Sequence, residues 1–289
     1  GLDGRTMLER TRRVDIPAAR TLGTTIADRA IAGCDKLCVS PPPRIAGLAY
    51  WIEQLIAESS GKDGRGVIPI VHDPVAHRLP DSQNAGPELF SADPLDLGAE
   101  FLRWEYATQA LCERLGVNPF DQPDVEEAKK LARAELAALK DRATAPLSTA
   151  ALPTLTLAQL RAAYRPRDYF ALLAYVPPTP QVFTALQQLR AAWGAVLGCA
   201  TTLGIGPRYL HSTGQLHKGG PPNGLFLIVT TDTRPAEDLD IPEMGWTFGQ
   251  LQRAQARGDV RALLARGRRV AHVHLESPAQ LSQLHPPNA

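Results

Sequence analysis

The stretch GPRYLHSTGQLHKGGPPNG, residues 206–224, separates two runs that read as strands, CATTLGI at 199–205 and GLFLIVTT at 224–231. How it is read decides the fold of the second half. It is longer than a hairpin needs, and structureless connections of this length are usually functional or disordered. Taken as a loop, it makes the two flanking runs consecutive strands. Working outward, DYFALLAYV at 168–176 reads as a strand and residues 179–197 as a helix. Downstream, 247–266 is helical with a break near Gly258, and RRVAHVHL at 268–275 reads as the last strand. Strand, helix, strand, strand, helix, strand is the βαββαβ order of a ferredoxin-like α+β domain. The expected domain covers 146–289, with an irregular tail after 276.

The first half has a different rhythm. Residues 18–33 read as a helix, DKLCVS at 35–40 as a short buried strand, and 44–57 carries an apolar helical stripe of Ile45, Leu48, Ala49, Ile52, Leu55 and Ile56. GVIPIV at 66–71 reads as a second strand. After a loop rich in Pro, Asp and Ser come helices at about 95–115 and 123–140. This βα alternation predicts an α/β domain over 1–145 with a parallel sheet. Two strands are too few for such a sheet, so the remaining ones are expected upstream of Gly1 or on another chain. The start GLDGRTMLER, without an initiator Met, fits a fragment of a longer polypeptide.

Composition narrows the function classes. The 289 residues carry 31 basic and 30 acidic side chains, net +1, with 44% hydrophobic residues. This balance gives no reason to expect a nucleic-acid partner, and no apolar run approaches the roughly 20 residues of a membrane helix. Cys34, Cys38, Cys112 and Cys199 have neither paired spacing nor a neighbouring His cluster, so no metal is assigned and reduced cysteines in the cytoplasm are expected. Only six of the basic residues are lysines, and four of them, Lys62, Lys129, Lys130 and Lys218, fall in the motifs below.

Within ESSGK, residues 58–62, Glu58 falls at the C-terminal end of a helix capped by Gly61. A carboxylate is disfavoured there, and the same potential raises its pKa toward that of a general base. The plainer reading is a solvated Glu before a Gly-rich turn. In VNPFDQPDVEEAKK, residues 117–130, Pro123 suits the first helical position, with Gln122 at the N-cap and Lys129 on nearly the same stripe. Lys129 can lean back over the helix start and complete an anion site. A capped helix with ordinary charge pairs explains the same residues. His211 and His217 sit in the glycine-rich stretch, either in a binding loop or in a flexible one. His72 and His77 read as surface residues, and His272 and His274 as neighbours on one face of the last strand.

Together these stretches resemble glucose-6-phosphate isomerases. ESSGK is similar to that family's Glu-Ser-Asn-Gly-Lys box, and NPFDQPDVEEAKK to its Asn-Ser-Phe-Asp-Gln-Trp-Gly-Val-Glu-Leu-Gly-Lys signature, with Lys129 in register. The phrases WIEQLIAESSGK, YLHSTGQLHKGGP and FGQLQRAQARGDVRALLARGRRV resemble the C-terminal part of bifunctional transaldolase/glucose-6-phosphate isomerases. The resemblance implies a partial sugar-isomerase (SIS-type) three-layer α/β domain over the first half. It implies interconversion of glucose 6-phosphate and fructose 6-phosphate through a cis-enediol, with no cofactor and no metal.

Carried over by position, Glu58 moves the proton between C2 and C1, and Lys129 assists ring opening and steadies developing oxygen charge. Gln122 contacts the phosphate, with Ser59 and Gly61 beside the substrate. The family's Ser/Thr phosphate loop, its arginine near the enediolate and its Gly-Gln-His-Ala-Phe segment have no counterpart here. His211 or His217, or His77, is the substitute for the missing histidine. The implied partners are a hexose 6-phosphate and an upstream sugar-isomerase half, in the same polypeptide or another chain; a homo-oligomer is compatible. The alternative is a non-catalytic sugar-phosphate-binding or regulatory module of the same fold.

Overall fold

A computed structural model of the chain describes residues 3–123, 130, 133–134, 152–232 and 238–287. Two compact units result, Gly1–Gln122 with Ser212–Pro221, and Pro123–His211 with Pro222–Ala289. The expected boundary at 145 lies outside the described residues, and a segment from the second half belongs to the first unit. The helix expected at 123–140 also falls largely outside them.

In the first unit, α1 (Gly4–Thr11) and α2 (Ile16–Ile31) each begin on an aspartate. The Asp3 carboxylate accepts from the Arg5 and Thr6 amides, and that of Asp15 from the Ala18 amide, satisfying donors that a helix start leaves open. There follow β1 (Lys36–Val39), α3 (Leu48–Ser60), β2 (Ile68–Val71), β3 (Ser82–Ala85) and α4 (Leu97–Leu115). The sheet order is β2-β1-β3, all parallel, with Lys36 opposite both Ile68 and Ser82. β3 was missed because SQNA is polar. Its buried Gln83 donates to the carbonyls of Ile26 (3.0 Å) and Cys34 (2.8 Å), so the strand is fixed by hydrogen bonds rather than by an apolar run. Trp104, Ile52, Ile56 and Leu111 anchor the core between α2, α3, α4 and the sheet.

The rest of the chain forms α5 (Leu157–Ala162), β4 (Tyr169–Tyr175), α6 (Pro180–Leu197), β5 (Thr201–Ile205), α7 (Gly214–Gly219), β6 (Gly224–Thr231), β7 (Asp240–Ile241), β8 (Trp246–Thr247), α8 (Phe248–Ala265) and β9 (Arg269–Leu275). Of these, α7 belongs to the first unit. The second unit's main sheet has the order β5-β4-β6-β9, and every neighbouring pair is parallel.

The ferredoxin-like expectation is therefore wrong, because that fold needs antiparallel partners. Residues 206–223 are not a loop returning to a neighbouring strand. They form a crossover holding a short 3₁₀ turn, Arg208–His211, and then α7, and such a crossover is what parallel strands require. The burial pattern agrees. Every residue of β4 and β6 is buried, as in a strand covered on both faces, and their near-continuous apolar composition already carried that signal. Helix α8 runs through Gly258 without a break, with that glycine buried. The tail is ordered into a 3₁₀ segment, Pro278–Leu284, whose Leu284 carbonyl accepts the indole N–H of Trp193 at 2.9 Å. That indole stacks on Phe170 with centroids 5.0 Å apart. The chain is thus α/β with parallel sheets in both units. No helix among the described residues is long and apolar enough to cross a membrane.

Candidate functional site

Glu58 lies in the last turn of α3, on a helix whose buried side carries Leu48, Ala49, Ile52 and Ile56. That face fixes the helix against the core and leaves Glu58 half-buried at its rim. Burial raises the Glu58 carboxyl above its ordinary value. Hydrogen bonds from Gln54 and Gln122 and the positive charge of Lys62 pull it partly back. The Gln54 contact is long, 3.4 Å. A carboxylate in this setting is poised to take up and release a proton nearer neutrality than an exposed one.

The helix end is tightly tied. Ser60 Oγ donates to the Ile56 carbonyl (2.7 Å) and accepts from the Val67 amide (3.2 Å), linking α3 to the approach of β2. Gly61 is the C-cap of the helix, as expected, with φ −77° and so outside the left-handed region. Its reason is closeness: a Cβ there would lie 2.4 Å from the Leu216 Cα. Two further links join the ESSGK turn to α7. Gln215 Nε2 donates to the Gly61 carbonyl at 3.0 Å, and the Gly64 amide to the Gly219 carbonyl at 2.8 Å.

The glycine-rich stretch is thus neither an open loop nor a flexible one. Residues Thr213–Gly220 are all buried, including Gln215, His217 and Lys218. Of the two candidate histidines, His217 lies on α7 in the unit that holds Glu58. His211 is exposed and falls in the other unit. His77 is also exposed, accepting a bond from Arg78 Nε at 3.1 Å. Ser59 and Gly61 are both buried.

Lys62 forms the link between the two sequence boxes. Its buried ammonium donates to the Asn118 carbonyl and pairs with Asp121 Oδ1 at 3.1 Å, beside Gln122. Lys129 lies outside the described residues. Sequence reasoning missed Gln215 and the role of Lys62. The scarcity of lysine pointed to Lys62, whereas nothing local marked Gln215. Among the described residues no group of three or more His, Cys, Asp or Glu could hold a metal ion. The buried thiols of Cys38 and Cys112 are pushed up to about 11 and about 12 by burial, which leaves them unreactive near neutrality.

No protein-family model matches the chain, and no curated protein matches it. Among solved structures, the chain is similar to hypothetical protein TT0462 from Thermus thermophilus, at 17% identity over 98% of this chain and 83% of that one, with a TM-score of 0.36.

Proposed function

We propose that the chain is the C-terminal part of an aldose–ketose isomerase that interconverts glucose 6-phosphate and fructose 6-phosphate, with its first unit belonging to a sugar-isomerase domain. The likeness of its phrases to bifunctional transaldolase/glucose-6-phosphate isomerases extends the proposal to that polypeptide. One observation carries the reading. Glu58 and Gln122 come from separate motifs far apart in sequence, and the Gln122 side chain lies close enough to lower the pKa of a carboxyl that burial raises.

In this reading Glu58 removes the proton from C2 of the open-chain aldose. The C–H electron pair becomes the C1=C2 bond of a cis-enediol, and the carbonyl oxygen at C1 gains a proton. Return of the Glu58 proton to C1, with loss of the hydroxyl proton at C2, gives the ketose. Gln122 has two amide N–H donors, so one can hold Glu58 while the other reaches a phosphate oxygen. Lys129 balances oxygen charge, and His217 is the acid assigned to ring opening.

The test is exchange from deuterated water at C2 of the sugar phosphate, using the full-length polypeptide. Glu58→Gln should abolish exchange; exchange at the native rate would overturn the role of Glu58. Tight binding of the sugar phosphate without turnover in the native protein would favour a non-catalytic binding module instead.

A further inference from the structure

We infer that Lys62 is a positioning residue: it clamps the Asn118–Asp121 turn so that the adjoining Gln122 is presented to Glu58. The geometry is specific. The Lys62 side chain is 3% exposed, and its ammonium is shared between the Asn118 carbonyl and Asp121 Oδ1. The turn it grips is already preformed. Asn118 Oδ1 accepts the Phe120 amide at 3.1 Å, and Asn118 Nδ2 donates to Asp121 Oδ2 at 3.3 Å.

The base of the clamp is equally fixed. The Lys62 amide donates to the Ser60 carbonyl (2.9 Å) and to that of Arg65 (3.1 Å), while α7 holds Gly61 and Gly64 on either side. Lys62 is thus held at both its amide and its ammonium. Burying an ammonium to reach a half-exposed aspartate is weak support for stability, because desolvation offsets the Coulombic gain. It makes sense as a device for register. Lys62 also keeps positive charge near Glu58, which favours the ionised base between turnovers.

The grip on the Asn118–Asp121 turn stands on geometry; its effect on turnover rests on the isomerase reading. The experiment therefore has two readouts on the full-length polypeptide. The first is NMR of the Gln122 side-chain amide and of the Glu58 carboxyl carbon, assigned by comparison with Gln122→Ala and Glu58→Gln. Lys62→Met fills the same space without charge. It should move the Gln122 amide signals toward those of free glutamine and shift the Glu58 titration to higher pH. Asp121→Asn keeps the lysine and should loosen Gln122 likewise, raising the Glu58 titration less than Lys62→Met because the cation stays.

The second readout is the pH profile of isomerisation. Lys62→Met should lower kcat/KM by about tenfold or more, the scale on which misplaced groups act, with its acid limb moved to higher pH. Unmoved Gln122 signals in folded variants would overturn the clamp. Shifted signals in a protein without turnover would sustain the clamp and overturn the isomerase reading instead. Should Lys62→Met fail to fold, Asp121→Asn decides alone, because Asp121 is half-exposed and its loss leaves the core intact.

Discussion

Leu216 and Gly61 touch so closely that a β-carbon on the glycine would stand 2.4 Å from the leucine Cα. Backbone meets backbone there, and no rotamer change can relieve the contact. Gly61→Ala should therefore displace α7 and destabilise the protein by about 2–4 kcal/mol, measured by denaturant unfolding. Gly64→Ala is the control. Open space surrounds Gly64, so only its φ of +72° is strained, at about 1–2 kcal/mol.

Under the proposed isomerase reading, Gln122→Ala should act on the pH dependence of turnover through Glu58. The Gln122 amide lowers the Glu58 pKa against the larger effect of burial. Removing that donor destabilises the carboxylate form, so the pKa rises and the acid limb of kcat/KM moves to higher pH. A limb that stays in place would show that Gln122 does not hold the base.

His272 makes stability fall in acid. Burial is the main reason its imidazole is pushed down to about 4, with the nearby His274 and Arg257 adding to it. The unfolded chain takes up this proton near pH 6.5, whereas the folded chain resists until about pH 4. The stability is present above pH 6.5 and is lost as pH falls through that window, by about 3 kcal/mol at most. Thermal melts of His272→Gln between pH 7 and 4 should decline less steeply than those of the native chain.

Asp168 is buried, and its carboxylate forms a two-pronged pair with Arg269, at 2.6 and 2.7 Å. It also accepts the Arg165 amide at 2.5 Å. Asp168→Ala should cost about 3–5 kcal/mol, because it leaves a largely buried guanidinium without its partner. Replacing the salt-bridged surface residue Glu113 should change stability by less than about 1 kcal/mol, since its contact with Arg20 is exposed on both sides.

Elements dominated by apolar periodicity were legible in the sequence. The strands at 224–231 and 169–175, and helices α3, α4 and α6, fall within a few residues of the expected bounds. The misses have physical causes. β3 is built from SQNA, whose place is set by Gln83 reaching two carbonyls that lie far away in sequence. The parallel sense of the second sheet was hidden because 206–223 lacks an amphipathic stripe. Its helix is short and buried on all sides, so composition suggested a loop. At the candidate site, Glu58 and Gln122 could be named from their motifs. That burial would be the main source of the raised Glu58 pKa, and that Lys62 would bind the two motifs together, depends on tertiary neighbours no local pattern records.

The crossing of residues 212–221 from one half of the sequence into the unit formed by the other sets an order of events during synthesis. Ala49, Ile52, Trp104 and Leu111 are all available early, so a first core can condense on the emerging chain. The turn around Gly61 cannot close then, because Gln215, Leu216 and Gly219 have yet to leave the ribosome. Until they do, Glu58 and Lys62 sit on an unfinished wall. Ribosomal stalling, or a premature stop after Val117 and before residue 212, would thus yield a chain with a packed first core and an unfinished turn at Gly61.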